Sequence, residues 1–191
     1  MRKRSLLVYR NAGIVCGLSA LLTIGASPVL AGNVSQSVAA GVLNASISDL
    51  ALPGLTYSNS VQTSTGSMVL HADDSSGAAA GWNVTVQVSP LVYSGSYVGT
   101  SIPAANFALT SVAQPLLVSG QTVDATAATG PEIPPTSPLG TLDTPRKVIA
   151  ATAAYGTGTY TQALGVTLTI PAGSKIGTYA GTMTTTIIAG A

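Results

Sequence analysis

The side chains that could carry out chemistry are few, and the densest group of them is the stretch His71-Ala72-Asp73-Asp74. An imidazole and two carboxylates within four residues are possible metal ligands. No second ligand group accompanies them, and Asp73, Asp74 and Gly77 lack the ligand spacing of a calcium loop. We therefore interpret His71 as a strand-end residue and the two aspartates as the start of an Asx turn that leads through Gly77 to Gly81.

The sequence contains few residues that could act as a catalytic base or nucleophile. His71 is the only histidine, and the only cysteine, Cys16, lies near the N-terminus. A serine or cysteine nucleophile needs an adjacent base and an orienting group, and the chain has no Gly-x-Ser-x-Gly elbow. These observations predict a non-enzymatic protein without a metal or another cofactor.

Aromatic residues are the better candidates for binding. Trp82 is the only tryptophan and begins the stretch WNVTVQV, where it could be a core residue or could stack on carbohydrate or a partner at the end of a sheet. Tyr93 and Tyr97 lie four residues apart in a Gly/Ser-rich loop, and Tyr179 follows a Pro-Ala-Gly turn. We expect Trp82, Tyr93, Tyr97 and Tyr179 to form the binding surface, with Asp73, Asp74, Gly77 and Gly81 shaping the turn.

The N-terminus resembles an export signal. Basic residues up to Arg10 precede the weakly apolar run AGIVCGLSALLTIG. The small residues Val29 and Ala31 suit cleavage after Ala31, with cleavage after Ala26 as the alternative. This run falls short of the about 20 apolar residues that span a bilayer. The sequence predicts a secretory signal peptide at residues 1–31 and a secreted, cell-surface-associated product with no membrane contact after cleavage.

Charge is scarce in the remaining chain. Residues 32–191 contain three cationic side chains (Arg146, Lys147, Lys175) against six acidic ones (Asp49, Asp73, Asp74, Asp124, Glu132, Asp143), a formal charge of −3. Three scattered cations cannot neutralise the phosphates along a nucleic acid. Nucleic acid is therefore excluded as the expected partner.

Period-two alternation dominates residues 32–191. Trp82, Val84, Val86 and Val88 alternate with polar residues, and the same pattern recurs over residues 164–170 and 179–187. Weaker strand patterns cover residues 38–48, 67–71, 106–112, 115–118 and 147–154. Short strands separated by Gly, Pro, Asp and Ser predict an all-β fold, a Greek-key-like antiparallel β-sandwich in a single domain. We expect the Pro-rich residues 130–145 to form an exposed crossover loop.

The segments HADDSSGAAAGWNVTVQV and LGVTLTIPAGSKIGTYAGTMTTTI resemble the two halves of a WxL domain, a Gram-positive cell-surface module. The matching positions are Asp73 or Asp74, Gly77, Gly81 and Trp82 in the first half and Pro171, Gly173, Gly177, Tyr179 and Ile187 in the second. Val84 stands where the family has leucine, and Thr185 stands where it usually has a second tryptophan.

The resemblance implies noncovalent attachment to the cell wall through peptidoglycan, and contact with other surface proteins is also compatible with it. A structural subunit similar to a pilin or spore-coat protein is the alternative, because such subunits assemble when an extended segment completes a neighbour's sheet. The uncharged stretch NVSQSVAAGVLNASIS would serve as that donor segment.

Overall fold

A computed structural model of the chain describes residues 35–123, 130–135 and 138–190, so the predicted signal peptide lies outside the described residues. From Val38 onwards the chain forms one compact unit. Its regular structure in the described part is almost entirely β. The strands are β1 (Leu43–Ile47), β2 (Gln62–Asp74), β3 (Trp82–Val88), β4 (Val92–Ser94), β5 (Phe107–Val112), β6 (Leu116–Gly120), β7 (Gly140–Thr141), β8 (Arg146–Ala151), β9 (Gly158–Ile170), β10 (Thr178–Ala180) and β11 (Met183–Ala189), with one 3-10 turn at Ala104–Asn106.

The strands form an antiparallel β-sandwich, as the alternation predicted. One sheet has the order β1-β2-β9-β5-β7, with β6 also paired to β9, and a second has the order β11-β3-β8. Strands β4 and β10 form a separate two-stranded ribbon. Because β1, β2, β5, β6, β7 and β9 belong to one sheet while β3, β8 and β11 belong to the other, the chain crosses between the layers five times, in a Greek-key-like way.

The core lies between the layers. On β3 the side chains of Trp82, Val84, Val86 and Val88 are all buried, and they share one apolar cluster with buried residues of β2, β5, β8 and β9. Strict alternation produces this result because every second side chain of a strand points to the same face. Burial of each large apolar side chain contributes about 1.5–3 kcal/mol to folding.

Strands β2 and β9 are longer than the sequence patterns indicated, with 13 residues each paired along their whole length. The pattern on β2 is hidden because its first inward positions are Gln62, followed by the small residues Ser64 and Gly66, rather than large apolar residues. A Cβ atom on Gly66 would lie 2.8 Å from Leu50 and 2.9 Å from Leu52. These small residues therefore make room for the segment between β1 and β2, residues 48–61, which we call the strap.

Two expectations from the sequence need correction. The stretch 179–187 is not one strand, because β10 pairs with β4 whereas β11 pairs with β3. The Pro-rich residues 130–145 are not simply an exposed loop. Glu132 bridges to Ala150, β7 pairs with β5, and Leu142 is fully buried with backbone hydrogen bonds to Phe107 and Val88. The buried Leu142, directly after the short strand β7, packs this segment against the core.

Candidate functional site

The Asp and Gly-rich turn between β2 and β3 is built by side-chain hydrogen bonds. The carboxylate of Asp74 accepts hydrogen bonds from the backbone N–H and the hydroxyl of Ser76, and Asp73 accepts them from Ser75 at 3.3 Å and Thr159 at 3.2 Å. Gly77 and Gly81 have φ angles of 75° and 74°. At Gly81 a Cβ would also lie 2.7 Å from the carbonyl oxygen of Ala151, so only glycine fits directly before Trp82.

Trp82 is part of the core. Its side chain has 0% exposure, its ring lies 6.1 Å from that of Tyr160, and its indole Nε1 donates a hydrogen bond to the carbonyl of Gly156 at 2.9 Å. Gly156 has φ 77°, and a Cβ there would lie 3.0 Å from the indole nitrogen. The hypothesis that this indole stacks on a ligand does not fit these contacts. Trp82 instead links β3 to the segment before β9 through its hydrogen bond to Gly156.

Tyr160 closes the same end of the core. Its hydroxyl donates to the carbonyl oxygens of Gln121 at 2.7 Å and Thr157 at 3.2 Å. Burial raises the pKa of Tyr160 above its ordinary value of 10.0, and the negative charge of Asp74 raises it further. The phenol therefore remains neutral and donates its hydrogen bonds over the whole physiological range.

Tyr93 and Tyr179 meet at the opposite end of the sandwich. They are direct partners in the ribbon of β4 and β10, with ring centroids 5.3 Å apart. The Tyr93 hydroxyl donates to the carbonyl of Ile176 at 2.8 Å and accepts from the backbone N–H of Tyr97 at 3.3 Å. The Tyr179 hydroxyl donates to the carbonyl of Lys175 at 2.9 Å. Both tyrosines are half-buried, so they position their neighbours rather than present a free ring.

The glycines of the loop that follows Tyr93 are explained by its ring. A Cβ on Gly99 would lie 2.6 Å from the ring, and one on Gly95 would lie within contact distance of the hydroxyl. The loop SGSYVGT therefore wraps around Tyr93. Because the loop is fixed in this way, Tyr97 is held at the surface with 60% of its side chain exposed.

A shallow pocket of about 240 Å³ is lined by Tyr57, Tyr97, Lys175 and Ile176, and we call it the tyrosine pocket. Tyr57 comes from the strap and is 49% exposed, and Ile176 is 64% exposed. The Tyr57 hydroxyl donates a hydrogen bond to the side chain of Asn59 at 2.8 Å. This bond fixes the hydroxyl and does not involve the face of the ring. Two tyrosines, one isoleucine and one lysine, all of them exposed, thus line one concave surface.

A larger cavity of about 1180 Å³ adjoins the tyrosine pocket, and we call it the strap cavity. The strap forms one wall and residues 174–183 form the other, while Met68, Leu91 and Phe107 contribute to an apolar floor. Its volume slightly exceeds the range of about 300–1000 Å³ that is typical of small-molecule sites. The two spaces share Tyr57, Lys175 and Ile176, so they form one continuous surface feature.

This surface lies far from Trp82. Val88, which lines the strap cavity, ends the strand that Trp82 begins. Six residues of extended chain separate them by about 20 Å. The sequence-predicted residues therefore divide into two groups: the turn (Asp73, Asp74, Gly77, Gly81) with Trp82 at one end, and the three tyrosines at the other.

The structure gives His71 no catalytic surroundings among the described residues. It is exposed on the outer face of β2, between Ser46 of β1 and Thr161 of β9. In the described ranges no cluster of three or more His, Cys, Asp or Glu residues is arranged to hold a metal ion. No helix in that part of the chain is long and apolar enough to cross a bilayer.

Sequence reasoning missed Tyr57, Lys175 and Ile176. Tyr57 lies in a segment without periodicity, LPGLTYSNS, and the only signal was the scarcity of aromatic residues: seven Tyr, one Trp and one Phe in 191 residues. In the sequence Lys175 is recognisable only as one of the three cationic residues of 32–191. Its approach to the tyrosines depends on the pairing of β4 with β10.

Comparison with known protein families, with curated proteins and with solved structures gives no significant match.

Proposed function

We propose that the chain is an exported, non-enzymatic cell-surface module that attaches noncovalently to the bacterial cell wall through peptidoglycan. The N-terminal signal pattern and the resemblance to WxL domains support this proposal, as does the deficit of cations that argues against nucleic acid. The observation that carries it is the tyrosine pocket, in which the exposed residues Tyr57 and Tyr97 lie on one concave surface with Lys175.

The chemistry of the tyrosine pocket suits a glycan that bears peptides. The face of an aromatic ring carries partial negative charge and attracts the C–H groups on the face of a sugar ring. Lys175 can form a charge-assisted hydrogen bond with a carboxylate of the stem peptide. Tyr93 and Tyr179 hold the loops on which Tyr97 and Lys175 lie, so the surface is organised before a ligand arrives, which lowers the entropic cost of binding.

The assignment moves the binding role away from Trp82. Tyr57 and Tyr97 are expected to contact the polymer directly, whereas Tyr93 and Tyr179 act as positioning residues. Asp73, Asp74, Gly77 and Gly81 shape the turn that places Trp82 in the core. The protein needs no cofactor for this role, and other surface proteins are compatible additional partners.

Co-sedimentation with purified peptidoglycan sacculi tests the proposal. The secreted protein should sediment with sacculi, and a Tyr57→Ala/Tyr97→Ala variant should lose at least about tenfold in affinity, as expected for truncation of aromatic hot-spot residues. Tyr155→Ala is the matched control, because Tyr155 is also exposed (42%) but does not line either cavity. Circular dichroism should show that all variants remain folded.

Two results would count against the proposal. Sedimentation of the double variant equal to that of the wild type would remove the tyrosine pocket from the binding role. Release of soluble sugar fragments from the sacculi by the protein would overturn the non-enzymatic assignment. The alternative role as a pilin- or spore-coat-like subunit is favoured by one separate observation, the position of β1, which is developed below.

A further inference from the structure

Strand β1 closes one side of the sandwich. It pairs with β2 at the edge of the larger sheet, in a register that runs from Leu43 opposite Asp74 to Ile47 opposite Leu70. It also lies beside β11, the edge of the smaller sheet. Its inward side chains, Leu43, Ala45 and Ile47, pack against the core. Without β1, the edge of β2 and the adjacent core would be open.

Beyond the hydrogen bonds that continue its pairing with β2, between Val42 and Ser75 and between Ser48 and Val69, β1 is connected to the rest of its chain through exposed segments. Every residue from 35 to 42 is exposed, and Val38 and Val42 are 92% and 58% exposed. On the other side, the strap has no regular structure, and only Leu50, Leu52 and Ser58 in it are not exposed. Between residues 53 and 61 the described chain shows two hydrogen bonds from the body to the strap, from Ser64 to the Pro53 carbonyl and from Gly173 to the Ser58 carbonyl.

We propose that residues 35–52 exchange between copies of this chain, so that β1 of one copy pairs with β2 of another. The exchanged unit contains β1 and the two leucines that fill the space above Gly66. Residues 53–61 form the hinge, and nine extended residues reach about 30 Å. Every contact of the exchanged strand is one that already exists within the chain, so the complementarity to the second copy is complete.

The way in which β1 is exchanged determines whether the assembly is closed or open. Reciprocal exchange between two copies gives a closed dimer, whereas donation from each copy to the next gives an open chain. Strand β11 is also terminal and at a sheet edge, but only residues 181 and 182 separate it from β10, which is paired to β4. Exchange is therefore specific to the N-terminal strand, and β11 provides a matched control.

Cysteine pairs across these two strands test the exchange. All variants carry Cys16→Ser, which removes the only native thiol. Ser46 is opposite His71 in the pairing of β1 with β2, and Thr186 is opposite Thr85 in the pairing of β11 with β3. Facing residues in antiparallel strands have Cα atoms about 4.5–5.5 Å apart, which suits a disulfide. A mixture of the S46C and H71C single variants is incubated at high concentration and then oxidised, in parallel with a mixture of T186C and T85C.

Exchange predicts a disulfide-linked heterodimer between S46C and H71C, identified by mass spectrometry of the linked peptides, at a yield at least about tenfold above that of the control mixture. The S46C/H71C double variant, oxidised when dilute, should remain monomeric on size exclusion, and reduction should restore oligomers. Equal yields from the two mixtures, or oligomers unaffected by locking β1 in its own chain, would overturn the proposal. Neither readout depends on binding to sacculi.

Discussion

The role of Trp82 gives the sharpest test of how this sequence uses its single indole. In Trp82→Ala, removal of the buried ring costs about 3–5 kcal/mol of unfolding free energy by comparison with other aromatic core truncations. The carbonyl of Gly156 also loses the indole N–H that donates to it at 2.9 Å, which adds about 1–3 kcal/mol when the acceptor stays buried. The expected total, about 4–8 kcal/mol, is a large part of the about 5–15 kcal/mol that typically stabilises a domain.

Urea unfolding followed by far-UV circular dichroism measures this loss without the tryptophan signal. With a slope of about 2 kcal/mol per molar urea, the midpoint should fall by roughly 2 M or more. Trp82→Phe retains a ring but removes the N–H donor, so it should show an intermediate loss. Tyr155→Ala, a truncation of an exposed aromatic residue, should change the midpoint little. An unchanged midpoint in Trp82→Ala together with loss of sacculus binding would refute the reasoning and return the indole to the binding surface.

Further predictions concern polar groups in and near the core. Thr185→Val should raise the unfolding free energy by about 1 kcal/mol in urea titrations, because the Thr185 hydroxyl is buried with no hydrogen-bond partner among the described residues. Gln162→Leu should lower it by about 1–3 kcal/mol, because Gln162 Nε2 donates to the carbonyls of Ala113 at 3.0 Å and Val148 at 3.1 Å, both of which would lose that donor. Removal of the buried Gln162 Oε1, which has no hydrogen-bond partner among the described residues, offsets about 1 kcal/mol of this loss. Burial raises the pKa of Tyr160, so above about pH 10 the unfolded chain releases this proton more readily than the folded chain. The free energy of unfolding should therefore fall by about 1.4 kcal/mol per pH unit in that range. Urea midpoints measured from pH 8 upwards should show this slope in the wild type and lose it in Tyr160→Phe. A wild-type slope retained in Tyr160→Phe would contradict that assignment.

The fold class could be predicted because the buried side chains of the main strands alternate with polar ones in the sequence. On β3 every second residue is apolar, and in a two-layer fold this pattern indicates a strand whose apolar side chains face the other layer. The first half of β2 could not be read in the same way. Its inward positions are small because the strap lies over them, and the strap itself has no period. The lengths of β2 and β9 therefore depend on tertiary packing and could not be predicted from the local sequence.

The site was predictable only in part, and the reason lies in the pairing of strands. Tyr93 and Tyr179 become partners through the register of β4 with β10, which the sequence does not specify. Whether Trp82 faces the core or a ligand depends on which layer covers its end of β3. Tyr57 gains its position because Leu50 and Leu52 anchor the strap above Gly66. Each of these facts requires a contact between segments that are distant along the chain.

Nuclear magnetic resonance titration with soluble muropeptides tests the central claim most directly. The single indole N–H of Trp82 provides one isolated resonance in the core, at the opposite end of the sandwich from the tyrosine pocket. We predict that saturable shift changes will concentrate at Tyr57, Tyr97, Lys175 and Ile176 while the Trp82 indole resonance remains in place. Saturable changes centred on Trp82 and the turn before it, with Tyr57 and Tyr97 unmoved, would contradict the account.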